Sequence, residues 1–271
     1  MKIFKNKLIL QKVLSKENCI SFVPTMGGLH KGHLSLIKKA KKYKCKICVS
    51  IFVNPNQFNN IKDFKNYPRN FKSDIAKLEK LKINYLYLPT YKDIYSFKTS
   101  NKIYLDKFSR QLCGKFRKGH FEGVLKVVNR FLEIIKPKYI FLGIKDFQQL
   151  ILIMNHIKKN KIKTKVIKCK TIREKNGIAC STRNINLNKK QLLIAGQIYK
   201  YLVNLKKKVK ENYKFFNEHI IKKDLNLLGA TKIDYIKNFD LKLLKKKIKS
   251  KNKSRLFIAY YINKVRLIDN I

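Results

Sequence analysis

The sequence predicts an α/β protein, a doubly wound parallel sheet followed by a smaller C-terminal α+β domain. Short apolar runs alternate five times with stretches of helical period over the first two-thirds of the chain. Pro or Asn-Pro closes several of these runs, as at Pro24, Asn54-Pro55 and Pro89. Beyond about residue 175 the texture changes, so domains are expected over 1–175 and 176–271.

Residues 19–23 (CISFV) read as a buried strand, ended by Pro24. Leu34, Leu36, Ile37 and Ala40 give a helical face over 33–43, with lysines outward. Residues 47–53 (ICVSIFV) form the second strand. Phe71, Ile75 and Leu78 mark the next helix, and 83–88 the third strand. Val124, Val127, Val128, Phe131 and Ile135 share one face of a longer helix, which Pro137 separates from a strand at 139–142. A helix over about 147–158 leads to a fifth strand around 163–168. Strand followed by helix, repeated, requires right-handed crossovers and a parallel sheet covered on both faces. Residues 184–228 then read as helical through Leu192, Ile194, Ala195, Ile198 and Leu202, and 256–262 as a strand within a βαβ-like remnant.

The 271 residues are 45% hydrophobic and 11% aromatic, enough to bury a core, which excludes intrinsic disorder. No run approaches the roughly 18 apolar residues of a membrane span. The first residues lack a signal-peptide pattern, so a cytoplasmic protein with its six cysteines as reduced thiols is expected. Lys and Arg number 64 against 16 acidic residues, a formal charge of +48. Only 8 of the 64 are arginine, the residue that reads nucleic acid by paired hydrogen bonds. The lysines run along the whole chain, densest at 205–210 and 242–253. That pattern reads as compositional drift over an ordinary scaffold, with neither a membrane nor a specific nucleic acid as partner.

Ligands of open parallel sheets bind beyond the carboxyl ends of the strands. The loop after the first of these strands is PTMGGLHKGH (24–33). Gly27 and Gly28 allow backbone amides close to a ligand, and Gly32 and His33 sit where a helix begins and an anion is favoured. His30 and His33, three residues apart, would face the same ligand. The loop is neither a dinucleotide fingerprint nor a P-loop. Asn54 and Gln57 in NPNQF (54–58) carry neutral amides suited to a hydroxy acid. Lys145 and Asp146 open the helix after the fourth strand, with Gln148 and Gln149 one turn inside. After the fifth strand, Ser181, Thr182 and Arg183 supply hydroxyls and a guanidinium for phosphate oxygens.

VPTMGGLHKGHLSL, SIFVNPNQF, YPR (67–69), GKFRKGHFEGV (114–124), GIKDFQQL, GIACSTRN and RLIDN together resemble the pantoate–β-alanine ligase family, also called pantothenate synthetases, from residue 23 to 269. H-x-G-H at 30–33 is similar to the signature of the wider nucleotidyltransferase superfamily, which implies a Rossmann-like sheet. The resemblance implies ATP-dependent condensation of pantoate with β-alanine through pantoyl adenylate, releasing AMP and pyrophosphate. It implies that His30 and His33 contact the phosphates, with His33 donating the proton, and that Lys145 grips the departing pyrophosphate. Met26, Gly27, Gly28, Leu29, Lys31 and Gly32 would bed the nucleotide, bordered by Gly143, Ile144, Asp146 and Ile172. Cys180, Ser181, Thr182 and Arg183 would close over it, Gln57 and Gln149 would hold pantoate, and Asn54 would support that pocket. The glycine-containing stretch 110–123 would form a wall or lid.

Mg²⁺ would be held mainly by the ATP phosphates, with Asp74 as the protein's candidate ligand, and a homodimer is implied. Departures from the family pattern fall at Ile144, where Glu is usual, Ser73, where an acid is common, Lys118 for Pro and Thr182 for Ser. His120 matches the family's R-x-G-H-F without a defined role. Competing readings are another adenylyl- or cytidylyltransferase with the same H-x-G-H, or a basic nucleic-acid-binding protein. Cys45 and Cys48 form a C-x-x-C without a second pair, on opposite strand faces, and His156 and His219 read as structural or surface residues. At this charge, raising salt from ~20 to ~500 mM should lift the thermal midpoint by several degrees. An unchanged midpoint in a salt series would show that self-repulsion does not limit stability.

Overall fold

The computed structural model describes residues 1–241 and 254–271. The chain divides into two compact units, Met1–Thr171 and Ile172–Ile271, a few residues before the boundary expected. The lysine-dense stretch 242–253 lies outside the described residues.

The first unit holds strands β1 (Lys2–Phe4), β2 (Ile20–Thr25), β3 (Lys46–Ile51), β4 (Tyr85–Tyr87), β5 (Tyr139–Gly143) and β6 (Lys165–Cys169). They lie in the order β1-β4-β3-β2-β5-β6, and every pair is parallel. Helices α1 (Lys7–Leu14), α2 (Lys31–Ala40), α3 (Ile61–Lys65), α4 (Phe71–Lys80), α5 (Tyr91–Tyr95), α6 (Cys113–Phe116), α7 (His120–Ile135) and α8 (Phe147–Lys159) connect them. Winding runs outward from β2 through β3 to β4, then returns to the other side of β2 at β5. The crevice between the carboxyl ends of β2 and β5 is therefore the topological switch point.

Alternation along the strands sends neighbouring side chains to opposite faces. Val23, Val49, Leu86 and Phe141 pack with Leu36, Ile37 and Ala40 of α2 and Leu78 of α4. On the other face Phe131 of α7 meets Phe22, Phe52 and Tyr87, with ring centroids 5.5, 6.3 and 6.2 Å away. Such aromatic contacts add to the burial of both helical layers.

Several sequence expectations need correction here. The sheet has six strands, since the short β1 pairs with β4 at the edge. Three residues and a brief helix gave too little periodicity to be read. Pro24 does not end β2, which continues to Thr25 paired with Ile51. The missing donor is tolerated because the strand stops one residue later. Cys19 and Cys45 are joined as a disulfide with Cα atoms 4.8 Å apart, rather than standing as reduced thiols. The two strand entrances, adjacent in register, bring them together. Cys48 is free and buried in β3, and its burial raises the thiol pKa.

The second unit contains α9 (Lys189–Glu211), α10 (Glu218–Leu227) and the strands β7 (Lys232–Asp240), β8 (Ser254–Ile262) and β9 (Val265–Asn270). These strands form an antiparallel sheet in sequential order, not a βαβ-like remnant. The β8–β9 turn at Asn263 (φ 51°) supplies the hairpin that a helical crossover would exclude. Ile198, Leu202 and Leu205 of α9, Ile221 and Leu225 of α10, and Ile236, Leu256 and Ile258 close its core. Among the described residues, no helix is long and apolar enough to cross a membrane.

Candidate active site

The chain leaves β2 at Met26 and turns into α2 at His30. Gly27 (φ 82°) and Gly28 (φ 60°) hold left-handed backbone, which side-chain-bearing residues adopt only with strain. A Cβ at Gly27 would also stand 3.1 Å from Asp74 Oδ2. The next two amides belong to one carboxylate. Gly28 N–H donates to Asp74 Oδ2 at 2.8 Å, and Leu29 N–H donates to Oδ1 at 2.7 Å. Asp74, 1% exposed, sits in the first turn of α4, where the helix end favours its charge. Both oxygens of this expected metal ligand are engaged with the loop backbone. No group of three or more His, Cys, Asp and Glu able to hold a metal occurs among the described residues.

Two imidazoles cap α2 reciprocally. His30 Nδ1 accepts from Gly32 N–H at 3.1 Å, and His33 Nδ1 accepts from His30 N–H at 3.5 Å. Their ring centroids are 4.1 Å apart. Acceptance at Nδ1 assigns the proton of each neutral ring to Nε2. Burial, followed by the fields of His30, Lys145 and Lys77, holds His33 well below its ordinary pKa of 6.5. His33 at neutral pH is thus an uncharged Nε2–H hydrogen-bond donor.

Lys145 lies in a 3₁₀ turn, Ile144–Asp146, immediately after Gly143 at the end of β5, with its ammonium 3.9 Å from Asp146 Oδ1. Because β5 neighbours β2, its charge bears on His33. Gln149 follows in the first turn of α8, half-buried and without a side-chain hydrogen bond among the described residues. Its neighbour Gln148 is a structural strap: Oε1 accepts from Cys113 N–H at 3.1 Å, and Nε2 donates to Phe108 O and Gln111 O at 2.6 and 2.7 Å. The 110–123 stretch is accordingly a tied wall in this structure.

After β3 the chain makes a 3₁₀ turn, Pro55–Gln57, capped by Asn54. Asn54 is 1% exposed and spent on protein contacts. Its Nδ2 donates to Gly123 O at 3.2 Å and to Gln57 Oε1 at 3.4 Å, while Oδ1 accepts from Tyr95 OH at 3.0 Å. The Gln57 carboxamide reaches Met26 Sδ, which places the amide-bearing turn against the histidine loop. His120, the first residue of α7, contacts Gln57 O through Nδ1 at 2.7 Å and Arg117 Nη1 through Nε2 at 3.0 Å. Since guanidinium only donates, Nε2 accepts and Nδ1–H donates to the carbonyl. The role of His120 left open by the sequence is to hold this turn.

The second unit carries the remaining candidates on one segment. Cys180 N–H donates to Ile172 O at 2.9 Å, closing a hairpin, and Ser181 Oγ accepts from Arg183 N–H at 3.3 Å at the start of the turn Thr182–Asn186. Cys180 Sγ contacts Glu174 Oε1 at 3.1 Å. Arg173, at the base of the hairpin, makes a bidentate pair with Asp269 at 2.5 and 3.0 Å and stacks over Tyr199. Arg266 pairs with Asp234 at 2.8 Å. Both partners in RLIDN are thus structural, a use that the motif alone does not reveal. Sequence reading also missed Lys77, although its i,i+3 spacing from Asp74 was visible.

A parallel sheet with paired imidazoles and a lysine at its switch point defines an α/β enzyme built for phosphate-bearing substrates. The profile of the pantoate-beta-alanine ligase family matches residues 2–271. A pantothenate synthetase from Flavobacterium psychrophilum is 42% identical over 271 residues, covering 98% of this chain and 95% of its own. One from Francisella tularensis subsp. novicida is 41% identical over 264 residues, covering 96% and 92%. The crystal structure of pantoate-beta-alanine ligase from Francisella tularensis, complexed with beta-gamma ATP and beta-alanine, aligns with TM-score 0.85 at 40% identity, over 100% of this chain and 97% of that one. Pantothenate synthetase from Thermus thermophilus aligns with TM-score 0.90 at 27% identity, over 100% and 99%. The chain belongs to the pantoate–β-alanine ligase family, and it is a ligase.

At Gly123 a Cβ would fall 2.1 Å from Asn56 O and 2.9 Å from Gln57 Cα. Gly123→Ala should therefore cost about 1–3 kcal/mol in urea unfolding, as overpacking does. An unchanged midpoint would show that α7 can retreat from the 54–57 turn.

Proposed function

We propose that this chain joins pantoate to β-alanine in two steps at the crevice between β2 and β5. The observation that carries the reading is the meeting of the Gln57 turn with the histidine loop through Met26. A carboxylate cannot expel oxide, so it first needs a leaving group. The pantoate carboxylate attacks the α-phosphorus of ATP, the bond to the β-phosphate oxygen breaks, and pyrophosphate departs. The amine of β-alanine then attacks the acyl carbon of pantoyl adenylate, and AMP leaves with the electron pair of the C–O bond.

In the first step charge builds on the phosphoryl oxygens. Nε2–H donors of His30 and His33, already oriented, stabilise it without reorganisation, and Lys145 compensates the pyrophosphate. Gln57 and Gln149 hold pantoate by carboxamide hydrogen bonds. Asn54 and His120 act behind them by fixing the turn. Gly143 to Asp146 border the nucleotide, and Ile172, Ser181, Thr182 and Arg183 are further nucleotide-binding residues. Mg²⁺ enters on the ATP phosphates, since Asp74 is committed to the loop. The protein works as a cytoplasmic homodimer. Another transferase of the superfamily would keep the imidazoles but would not need the two glutamines.

Pyrophosphate exchange into ATP should require pantoate, and pantothenate should form only once β-alanine is added; exchange without pantoate dependence would sink the reading. His33→Ala should slow adenylate formation by ~10²-fold or more, the scale of a lost oxyanion donor. Because the folded His33 pKa is depressed, the neutral donor persists as pH falls through 6.5. The exchange rate should hold there, and the stability due to His33 should be lost only as pH drops below 6.5 toward the folded value. A rate that declines with an apparent pKa at or above the ordinary histidine value would contradict the neutral donor. Gln57→Ala should raise the KM for pantoate by ~10-fold or more while ATP changes little; equal losses in initial-rate assays would remove Gln57 from the pantoate pocket.

A further inference from the structure

The face of α4 that carries Asp74 also carries Lys77 one turn later, and residues at that spacing share a helix face. The pair grips the peptide backbone of the histidine loop from both polarities. Asp74 takes the amides of Gly28 and Leu29, while Lys77 Nζ donates to Leu29 O at 2.8 Å. Lys72 and Lys80 on the same helix extend into solvent, whereas Lys77 is half-buried at the residue preceding His30. An ammonium has three donors, and Lys77 makes one side-chain hydrogen bond among the described residues.

The charges that act on His33 are of one sign. Lys145 arrives from β5 and Lys77 from α4, and both positive charges act on His33. Ile144 and Ser73, the residues just before Lys145 and Asp74, carry no charge. Asp74 is capped by two amides, and the Asp146 side chain is 47% exposed. Two lysines beside the paired imidazoles form a cradle for a polyanion rather than for a nucleoside.

We propose that Lys77 is a further phosphate-binding residue of this site, its ammonium parked on the Leu29 carbonyl and donating to the β- and γ-phosphates of ATP and to the pyrophosphate that leaves. This deepens the reading of the 26–33 loop as the phosphate bed and rests on it. The charge of Lys77 supplies part of the neutralisation that a divalent cation otherwise brings, so ATP should bind measurably without metal.

The test is direct nucleotide binding to the full-length protein by calorimetry in EDTA, without pantoate. Lys77→Gln keeps a donor for the Leu29 carbonyl and removes only the charge. It should weaken ATP by about tenfold or more, the scale of one charge-assisted hydrogen bond, and leave AMP, which lacks the outer phosphates, within about twofold. Lys77→Arg keeps the charge and should restore most of the ATP affinity. Parental ATP affinity in Lys77→Gln, or equal losses of ATP and AMP, would overturn the proposal, because either result reduces Lys77 to a tie on the loop. Should Lys77→Gln fail to fold by thermal melting, Lys77→Arg decides: ATP affinity preserved supports the charge role, and ATP affinity lost overturns it. A failure of the ligase reading is seen separately, as missing pantoate-dependent exchange in the parent protein.

Discussion

One buried carboxylate governs the geometry on which the rest depends. Asp74 binds two successive amides of a loop whose glycines can adopt either hand, and so converts a flexible segment into a fixed one. A charge so deep is tolerable only with such partners, and charge-assisted bonds are about twice as strong as neutral ones. With the loop fixed, His30 can cap α2, His33 can accept the His30 amide, and both rings accept through the same nitrogen, Nδ1. Remove the carboxylate, and the direction of both imidazoles is no longer determined.

The candidate site is assembled from three crossovers rather than from one motif. The loop after β2 brings the imidazoles, the turn after β3 the carboxamide of Gln57, and the turn after β5 the ammonium of Lys145. Helices brace the first two from behind. α4 braces the first through Asp74 and Lys77, α7 the second through His120 and Gly123, and α8 the 108–113 wall through Gln148. Preorganisation of this kind is what lets hydrogen-bond donors act on developing charge without first rearranging.

The core strands and the glycine-histidine loop were legible in the sequence, because buried strands and helical faces repeat with fixed periods and such loops are chemically unusual. What stayed hidden has a common physical cause. Asp74, Lys77, His120 and Asp269 act through partners 45, 48, 63 and 96 residues away, and no local period encodes such a pairing. The edge strand β1 is too short to show alternation, and the β7–β9 hairpins were obscured where lysine replaces the expected polar variety. The Cys19–Cys45 bond depended on strand register, which is set by the whole sheet.

The contact at Gly123 also bears on how this sequence can change. Across most of its surface the chain has absorbed lysine after lysine, since a solvated ammonium replaces almost any exposed side chain at small cost. Position 123 offers no such latitude: every other amino acid would set a carbon inside the van der Waals radius of a backbone carbonyl. Mutational drift that rewrites the exterior must halt at this spot, and a saturation library of the chain should return glycine alone there while its outward-facing neighbours Glu122 and Lys126 vary freely.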